Sequence, residues 1–152
     1  MNRLFDKSIV LACCIAAAMG LAVDACLVAA FCLGVAVASL TEIAQGERAR
    51  RAGEAASYAY IMVAVFVPSF VPFAPLALYD IARYVRREHV WVALGAGAIF
   101  VCALVAYAHA GALPTRALLL TAILSVAATL LSLRTAQLER EQERMRRTRD
   151  EL

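Results

Sequence analysis

Residues 117–152 read ALLLTAILSVAATLLSLRTAQLEREQERMRRTRDEL, and this stretch gives the clearest indication of the fold. Its first half is apolar and its second half is densely charged, yet neither half contains Gly or Pro. Because those two residues most often interrupt helices, one helix can run from a membrane straight into water. The sequence therefore predicts an all-α membrane protein with two parts, a polytopic membrane domain over residues 1–133 and a charged juxtamembrane helix over residues 134–152.

An apolar residue recurs at every seventh position of this helix, at Leu131, Leu138, Met145 and Leu152. Heptad spacing is typical of one seam of a coiled coil, but the companion positions three or four residues further on are polar. Two interpretations stay open, a homodimeric coiled coil and a single solvated helix. In either case these four residues are the candidate signal-transmission positions.

The composition indicates an integral membrane protein. Hydrophobic residues make up 63% of the chain and its mean hydropathy is +0.74, well above the share of about 45 to 50% in soluble domains. The net charge of +3 comes from arginines that flank apolar segments, which gives a topology signal and does not imply a nucleic-acid partner. The five cysteines lie in apolar stretches without metal-ligand spacing, so neither a disulfide framework nor a metal or other cofactor is predicted.

Residues 8–40 are apolar except for Asp24 near the middle, and they are too many for one ordinary span of about 20 residues. A lone carboxylate costs less at an interface than at the bilayer centre, which favours two short helices with Asp24 at the turn between them. Asp24 is then either a polar turn residue or an ion or proton site.

A second apolar segment, residues 55–79, is interrupted by Pro68, Pro72 and Pro75. Three prolines so close together predict a kinked span or a turn between two short spans. The sequence that follows, from Tyr79 and Asp80 to the basic residues 83–87, is typical of a collar at a membrane surface.

Two further apolar segments, residues 90–108 and 117–133, bring the predicted number of short spans to six. With six spans, both termini and both basic loops, residues 48–51 and 83–87, lie on one side, as the positive-inside rule requires. We therefore expect a multi-pass protein of the bacterial cytoplasmic membrane with both termini cytoplasmic. Residues 41–54 are expected to form a short hydrophilic connection.

The proline-rich segment ending PLALYD at residues 75–80, with the final span running into LRTAQLEREQERMRRTRDEL at residues 133–152, resembles the membrane-spanning input region of bacterial sensor histidine kinases. In that family the last helix continues into a dimerising hairpin with the phosphorylated histidine, followed by an ATP-binding domain. The tail here holds no His and no ATP-binding box. The resemblance implies a homodimeric sensor and signal-transmission module of a two-component system, without kinase activity of its own. Its partners would be the lipid bilayer and cytoplasmic kinase domains or a response regulator.

No arrangement of residues typical of a catalytic site is present in the sequence. The alternative function is a small membrane transporter or channel subunit that uses Asp24 or Asp80 as an intramembrane coupling carboxylate. A third is a membrane scaffold whose tail recruits a cytoplasmic partner.

Overall fold

The computed structural model describes residues 2–43, 46–84 and 90–150, and the chain is all-helical in these ranges, as the sequence predicts. The described residues form six α-helices and one 3-10 helix. They are α1 (Asn2–Ala18), α2 (Ala25–Ile43), α3 (Glu47–Phe66), the 3-10 helix Pro68–Phe73, α4 (Ala74–Tyr84), α5 (Val90–Ala110) and α6 (Thr115–Asp150).

Successive helices run up and down a bundle, so that the first turns of α1 lie beside the last turns of α2 and α4. Lys7 of α1 contacts Thr41 of α2 and Asp80 of α4, and Asp6 contacts Thr135 of α6. We call this end of the bundle the Lys7 end. Polar residues that are far apart in the sequence are gathered here.

The short helix α4 is the centre of the bundle, and α1, α2, α3 and α6 pack around it. Every residue from 70 to 77 is buried, and so are Tyr79, Asp80 and Ile81. The aromatic rings of Phe31 and Phe73 meet edge to face at 5.6 Å between centroids, and this contact joins α2 to the start of the central segment. Most side chains of α4 are therefore buried inside the bundle.

The turn expected at Asp24 is present, because α1 ends at Ala18 and α2 begins at Ala25. The backbone N–H of Leu27 donates a hydrogen bond of 2.8 Å to Oδ1 of Asp24, which therefore caps the start of α2. Asp24 itself is exposed. This is the polar turn residue that the sequence offers as one interpretation.

The proline segment forms a turn between two helices, but it lies inside the bundle. Val67 is extended, as a residue before proline prefers, and it ends α3. Pro68 then starts the 3-10 helix, Pro72 lies within it and Pro75 occupies the first turn of α4, where a missing N–H costs little. Pro72 and Pro75 are almost completely buried.

The hydrophilic connection is shorter than the expected residues 41–54, because α2 continues to Ile43 and α3 already begins at Glu47. The charged sequence ERARR is made of good helix formers, and Arg51 pairs with Glu47 at 2.7 Å, one turn earlier. Most of the expected loop is therefore helical.

Three helices, and not six, are long and apolar enough to cross a membrane in the described part of the chain: Ala25–Ile43, Val90–Ala110 and Thr115–Gln142. Helix α1 has only 17 residues, α3 starts with five largely charged residues and α4 has only 11 residues. The expectation of six spans is therefore wrong, because α1 and α4 are too short and α3 is too polar at its start. Large apolar side chains along α5 are exposed, Trp91 at 81%, which is consistent with a membrane protein.

The uninterrupted helix expected from residue 117 onward is present, since α6 runs without a break to Asp150. Leu131 is half-buried against the core, whereas Leu138 and Met145 are 50% and 66% exposed. Leu152 lies outside the described residues. The seam is thus solvent-accessible in a single copy of the chain.

Candidate functional site

Lys7 points into the bundle because it belongs to the buried stripe of α1. The other buried residues of this helix, among residues 5–18, are Val10, Cys14 and Ala17, at the spacing of three and four residues that marks one helical face. Helix α2 has a similar stripe of small residues, Ala30 and Gly34, which ends in buried Thr41. The ammonium group of Lys7 on α1 and the hydroxyl group of Thr41 on α2 therefore lie at the same end of the core.

The ammonium group of Lys7 is surrounded by four oxygen atoms. Its Nζ atom lies 2.7 Å from Oδ1 of Asp80 and 2.9 Å from Oε1 of Glu42. It also donates hydrogen bonds to Oγ1 of Thr41 at 2.7 Å and to the carbonyl oxygen of Ala38 at 3.0 Å. These five residues form what we call the ionic cluster.

Thr41 joins the two sides of the ionic cluster. Its Oγ1 lies 2.8 Å from the carbonyl oxygen of Ala38 and 3.0 Å from Oδ2 of Asp80. Helix α3 packs directly on this residue, because a Cβ atom added at Gly53 would lie 3.0 Å from Cγ2 of Thr41. Because Gly53 has no side chain, α3 can pack closely on the cluster, beside α1, α2 and α4, which supply its residues.

The charged side chains of the ionic cluster are largely buried. The side chains of Lys7, Glu42 and Asp80 are 8%, 20% and 1% exposed. Asp80 lies on α4, outside the three helices that can span a membrane, and burial raises the pKa of its carboxyl group. Lys7 and Thr41 oppose this rise in pKa, and the negative charge of Glu42 adds to it.

Two hydroxyl groups of α6 attach this helix to the residues next to the ion pair. Ser132 Oγ donates a hydrogen bond of 2.7 Å to the carbonyl oxygen of Tyr79, the neighbour of Asp80. Thr135 Oγ1 donates at 3.0 Å to Oδ2 of Asp6, the neighbour of Lys7. The ionic cluster is therefore connected to α6 at the place where the apolar part of that helix gives way to the charged tail.

A groove of about 290 Å³ between α1 and α2 leads to the ionic cluster. Its walls are mainly apolar, and Lys7, Glu42 and the serines next to them line its polar part. Leu76 of the central helix also lines it. The groove gives the cluster one partly open side.

The structure separates the candidate residues predicted from the sequence. Asp80 lies buried at the centre of the ionic cluster. Asp24 lies at the opposite end of α1 and α2, at an exposed turn. Pro68, Pro72 and Pro75 shape the segment that leads into α4, and Leu138 and Met145 lie beyond the bundle on α6.

Sequence reasoning missed Lys7, Thr41, Glu42, Ser132 and Thr135. Lys7 looks like an ordinary charge at the start of an apolar segment, and its place on a buried stripe becomes visible only when that stripe is followed at helical spacing. On α6 the signal is a row of hydroxyl residues spaced three to four apart, Thr121, Ser125, Thr129, Ser132 and Thr135, and all but Thr129 are buried. Such a row marks the face with which an apolar helix packs on other helices.

Comparison of the chain with protein-family models, with curated proteins and with solved structures gave no match. The resemblance to the input region of sensor histidine kinases therefore stays a prediction.

Proposed function

We propose that the chain is a membrane sensor and signal-transmission module, in which a rearrangement of the helical bundle passes into the charged part of α6. The proposed location is the bacterial cytoplasmic membrane, with the Lys7 end of the bundle on the cytoplasmic side. As in the sensor histidine kinases that the sequence resembles, the receiving partners would be cytoplasmic kinase domains or a response regulator.

The observation that carries this proposal is the attachment of α6 to the ionic cluster. Ser132 and Thr135 are bonded to the immediate neighbours of Asp80 and Lys7. A change in the packing of α1 or α4 therefore displaces hydrogen-bond partners of α6. Because α6 continues without a break to Asp150, such a displacement moves or rotates the tail as one rigid element.

The exposed seam supports a second part of the proposal, that the module is a homodimer. Leu138 and Met145 project from a helix whose other residues in this region are largely charged. Two copies of α6 would cover these side chains by pairing along the seam, as the helices of a coiled coil do. Rotation of α6 would then be read as a change in that pairing.

Site-specific photocrosslinking in membranes tests the pairing. A photoreactive amino acid replaces Leu138 or Met145 on the seam, or Arg140, which is exposed and lies on a different face of the helix. We expect covalent dimers from the two seam positions and few from position 140. Equal crosslinking at all three positions would contradict a defined seam.

Asp80 favours the alternative function, a small transporter or channel subunit, because its carboxylate reaches the bundle interior as coupled transport requires. Asp24 does not have this property, since it is exposed and caps α2. The test is proton flux into proteoliposomes that contain a pH-sensitive dye. Flux that disappears in Asp80→Asn but persists in Glu47→Gln would favour transport over signal transmission.

A further inference from the structure

We propose that the ionic cluster is a binding site for one proton, which Asp80 holds as a carboxylic acid. The proton adds to a carboxylate oxygen, and no other covalent bond forms or breaks. The proposal concerns equilibrium binding at the Lys7 end of the bundle. It stands whether or not α6 transmits a signal.

The ionic cluster has fewer donor hydrogen atoms than hydrogen-bond contacts. With Asp80 and Glu42 ionised, the donors that the described residues present at the centre of the cluster are the three N–H bonds of Lys7 and the single O–H bond of Thr41. Nζ has four oxygen neighbours within 3.0 Å, and Oγ1 of Thr41 faces two more acceptors. These donors cannot serve all of the contacts at once. Asp80 Oδ1 and Glu42 Oε1 both depend on the same ammonium group, that of Lys7.

A proton on Oδ2 of Asp80 relieves this shortage. Asp80 can then donate to Oγ1 of Thr41 across the observed 3.0 Å. The hydroxyl hydrogen of Thr41 is released for the carbonyl oxygen of Ala38, which lies 2.8 Å away. The remaining oxygen of Asp80 still faces the ammonium of Lys7. Both contacts of the Thr41 hydroxyl become hydrogen bonds without any movement of the backbone.

The ionic cluster is not electrically neutral when both of its carboxyl groups are ionised. One ammonium and two carboxylates give a net charge of one negative unit in a site that is nearly inaccessible to solvent. An uncompensated charge in such a site is costly, and one proton removes it. Asp80 is the proton acceptor because it is 1% exposed, whereas Glu42 is 20% exposed and better placed to remain the ionised partner of Lys7.

The charged groups around Asp80 agree with this assignment. Lys7 faces it from α1 and Glu42 faces it from α2. Helices α3 and α6 contribute uncharged groups next to the cluster. Gly53 of α3 packs on Thr41, and Ser132 of α6 donates to the carbonyl oxygen of Tyr79.

Three further titratable groups on the neighbouring helices have other partners. Asp6 on α1 accepts a hydrogen bond from Thr135, and Arg83 on α4 interacts with the hydroxyl of Tyr79. On α5, Tyr107 donates to the carbonyl oxygen of Val65 at the far end of the bundle. Among the described residues, Lys7 is therefore the single cation that faces Asp80, and it is shared with Glu42.

Infrared spectroscopy of the full chain in lipid nanodiscs tests the proposal, because a protonated carboxyl group has a C=O stretching band that a carboxylate lacks. The band is recorded while the pH is raised stepwise from mildly acidic to alkaline. Wild-type protein is prepared unlabelled, with ¹³C in the aspartate carboxyl groups, and with ¹³C in the glutamate carboxyl groups. This design identifies the protonated residue type without any substitution that could disturb folding.

We expect one band that shifts with the aspartate label, does not shift with the glutamate label and disappears at alkaline pH. The band should be absent in Asp80→Asn and unchanged in Glu47→Gln, a matched control in which the carboxylate is 59% exposed. A band that shifts with the glutamate label would overturn the assignment to Asp80. The absence of any such band in folded wild-type protein across the titration would overturn the proton site itself.

Discussion

The Nζ atom of Lys7 lies 2.7 Å from Oδ1 of Asp80, and the two side chains are only 8% and 1% exposed. Helix α1 contributes the ammonium group and the central helix α4 contributes the carboxyl group, so this contact fixes the position of the first helix on the core. Glu42 approaches the same Nζ atom at 2.9 Å. One ammonium group therefore contacts two carboxyl groups, so the loss of the ammonium group and the loss of one carboxyl group are expected to have unequal effects on stability.

Replacement of Lys7 by Met is expected to destabilise the bundle far more than replacement of Asp80 by Asn. The first change leaves the carboxylate of Glu42 and the buried carboxyl group of Asp80 without a cation, and breaking a buried pair in this way costs about 3–5 kcal/mol. The second change leaves the pair of Lys7 and Glu42 intact. Equilibrium unfolding in mixed micelles measures both free energies. Equal losses for the two variants would show that Glu42 does not compensate for Asp80.

The stability of the bundle is expected to rise as the pH falls from alkaline towards mildly acidic values. Burial raises the pKa of Asp80, so the folded state binds a proton more tightly than the unfolded state. The contribution of this proton is present at low pH and is lost as the pH rises through the raised pKa of the folded state. The difference in unfolding midpoint between wild type and Asp80→Asn, followed with pH, isolates this contribution from those of the other carboxylates. A difference that does not vary with pH would contradict it.

Replacement of Gly53 by Ala is expected to destabilise the bundle by about 1–3 kcal/mol, the usual cost of inserting a methyl group into a packed contact. The new Cβ atom would lie 3.0 Å from Cγ2 of Thr41, whose hydroxyl is held by Lys7 and Asp80. Gly97→Ala is the matched control, because nothing lies within 4 Å of a Cβ atom there and Ala favours a helix. If both variants unfold like wild type, α3 does not press on the ionic cluster.

Much of the architecture can be predicted from local sequence signals. Asp24 indicates a turn because an apolar stretch of that length cannot be one span, and the absence of Gly and Pro after residue 116 indicates the long final helix. Both features depend on a few neighbouring residues. The capping of α2 by Asp24 and the continuity of α6 to Asp150 agree with them.

The ionic cluster could not be predicted in the same way, because its members come from three helices and meet only after the bundle has formed. The charge and neighbours of Asp80 are typical of a membrane surface, and its burial depends on α4 being the central helix. That position follows from the turn at Pro68 and Pro72, which folds back into the core. A local pattern shows that the chain turns there but does not show what surrounds the turn.

Removal of the two hydroxyl contacts of α6 is expected to disconnect the tail while leaving the bundle folded. Ser132→Ala and Thr135→Val together remove the two hydrogen bonds that these hydroxyl groups make to other helices, each worth about 0.5–1.5 kcal/mol, and also the contact of Thr135 with the carbonyl oxygen of Leu131 within α6. The measurement is crosslinking at Leu138 with and without Asp80→Asn. We expect the response to Asp80→Asn to be lost in the doubly substituted background. Ser125→Ala is the control, since its hydroxyl bonds only within α6, to the carbonyl oxygen of Thr121.

The most direct test of signal transmission compares the crosslinking profile of the tail before and after a change at the ionic cluster. Photoreactive residues are placed one at a time at positions 136–145 in wild type, in Asp80→Asn and in the exposed control Glu47→Gln, all in membranes. We expect Asp80→Asn to move the crosslinking maximum from Leu138 and Met145 to adjacent positions, and Glu47→Gln to leave it in place. Identical profiles in the folded wild-type and Asp80→Asn proteins would contradict the transmission of bundle rearrangements through α6.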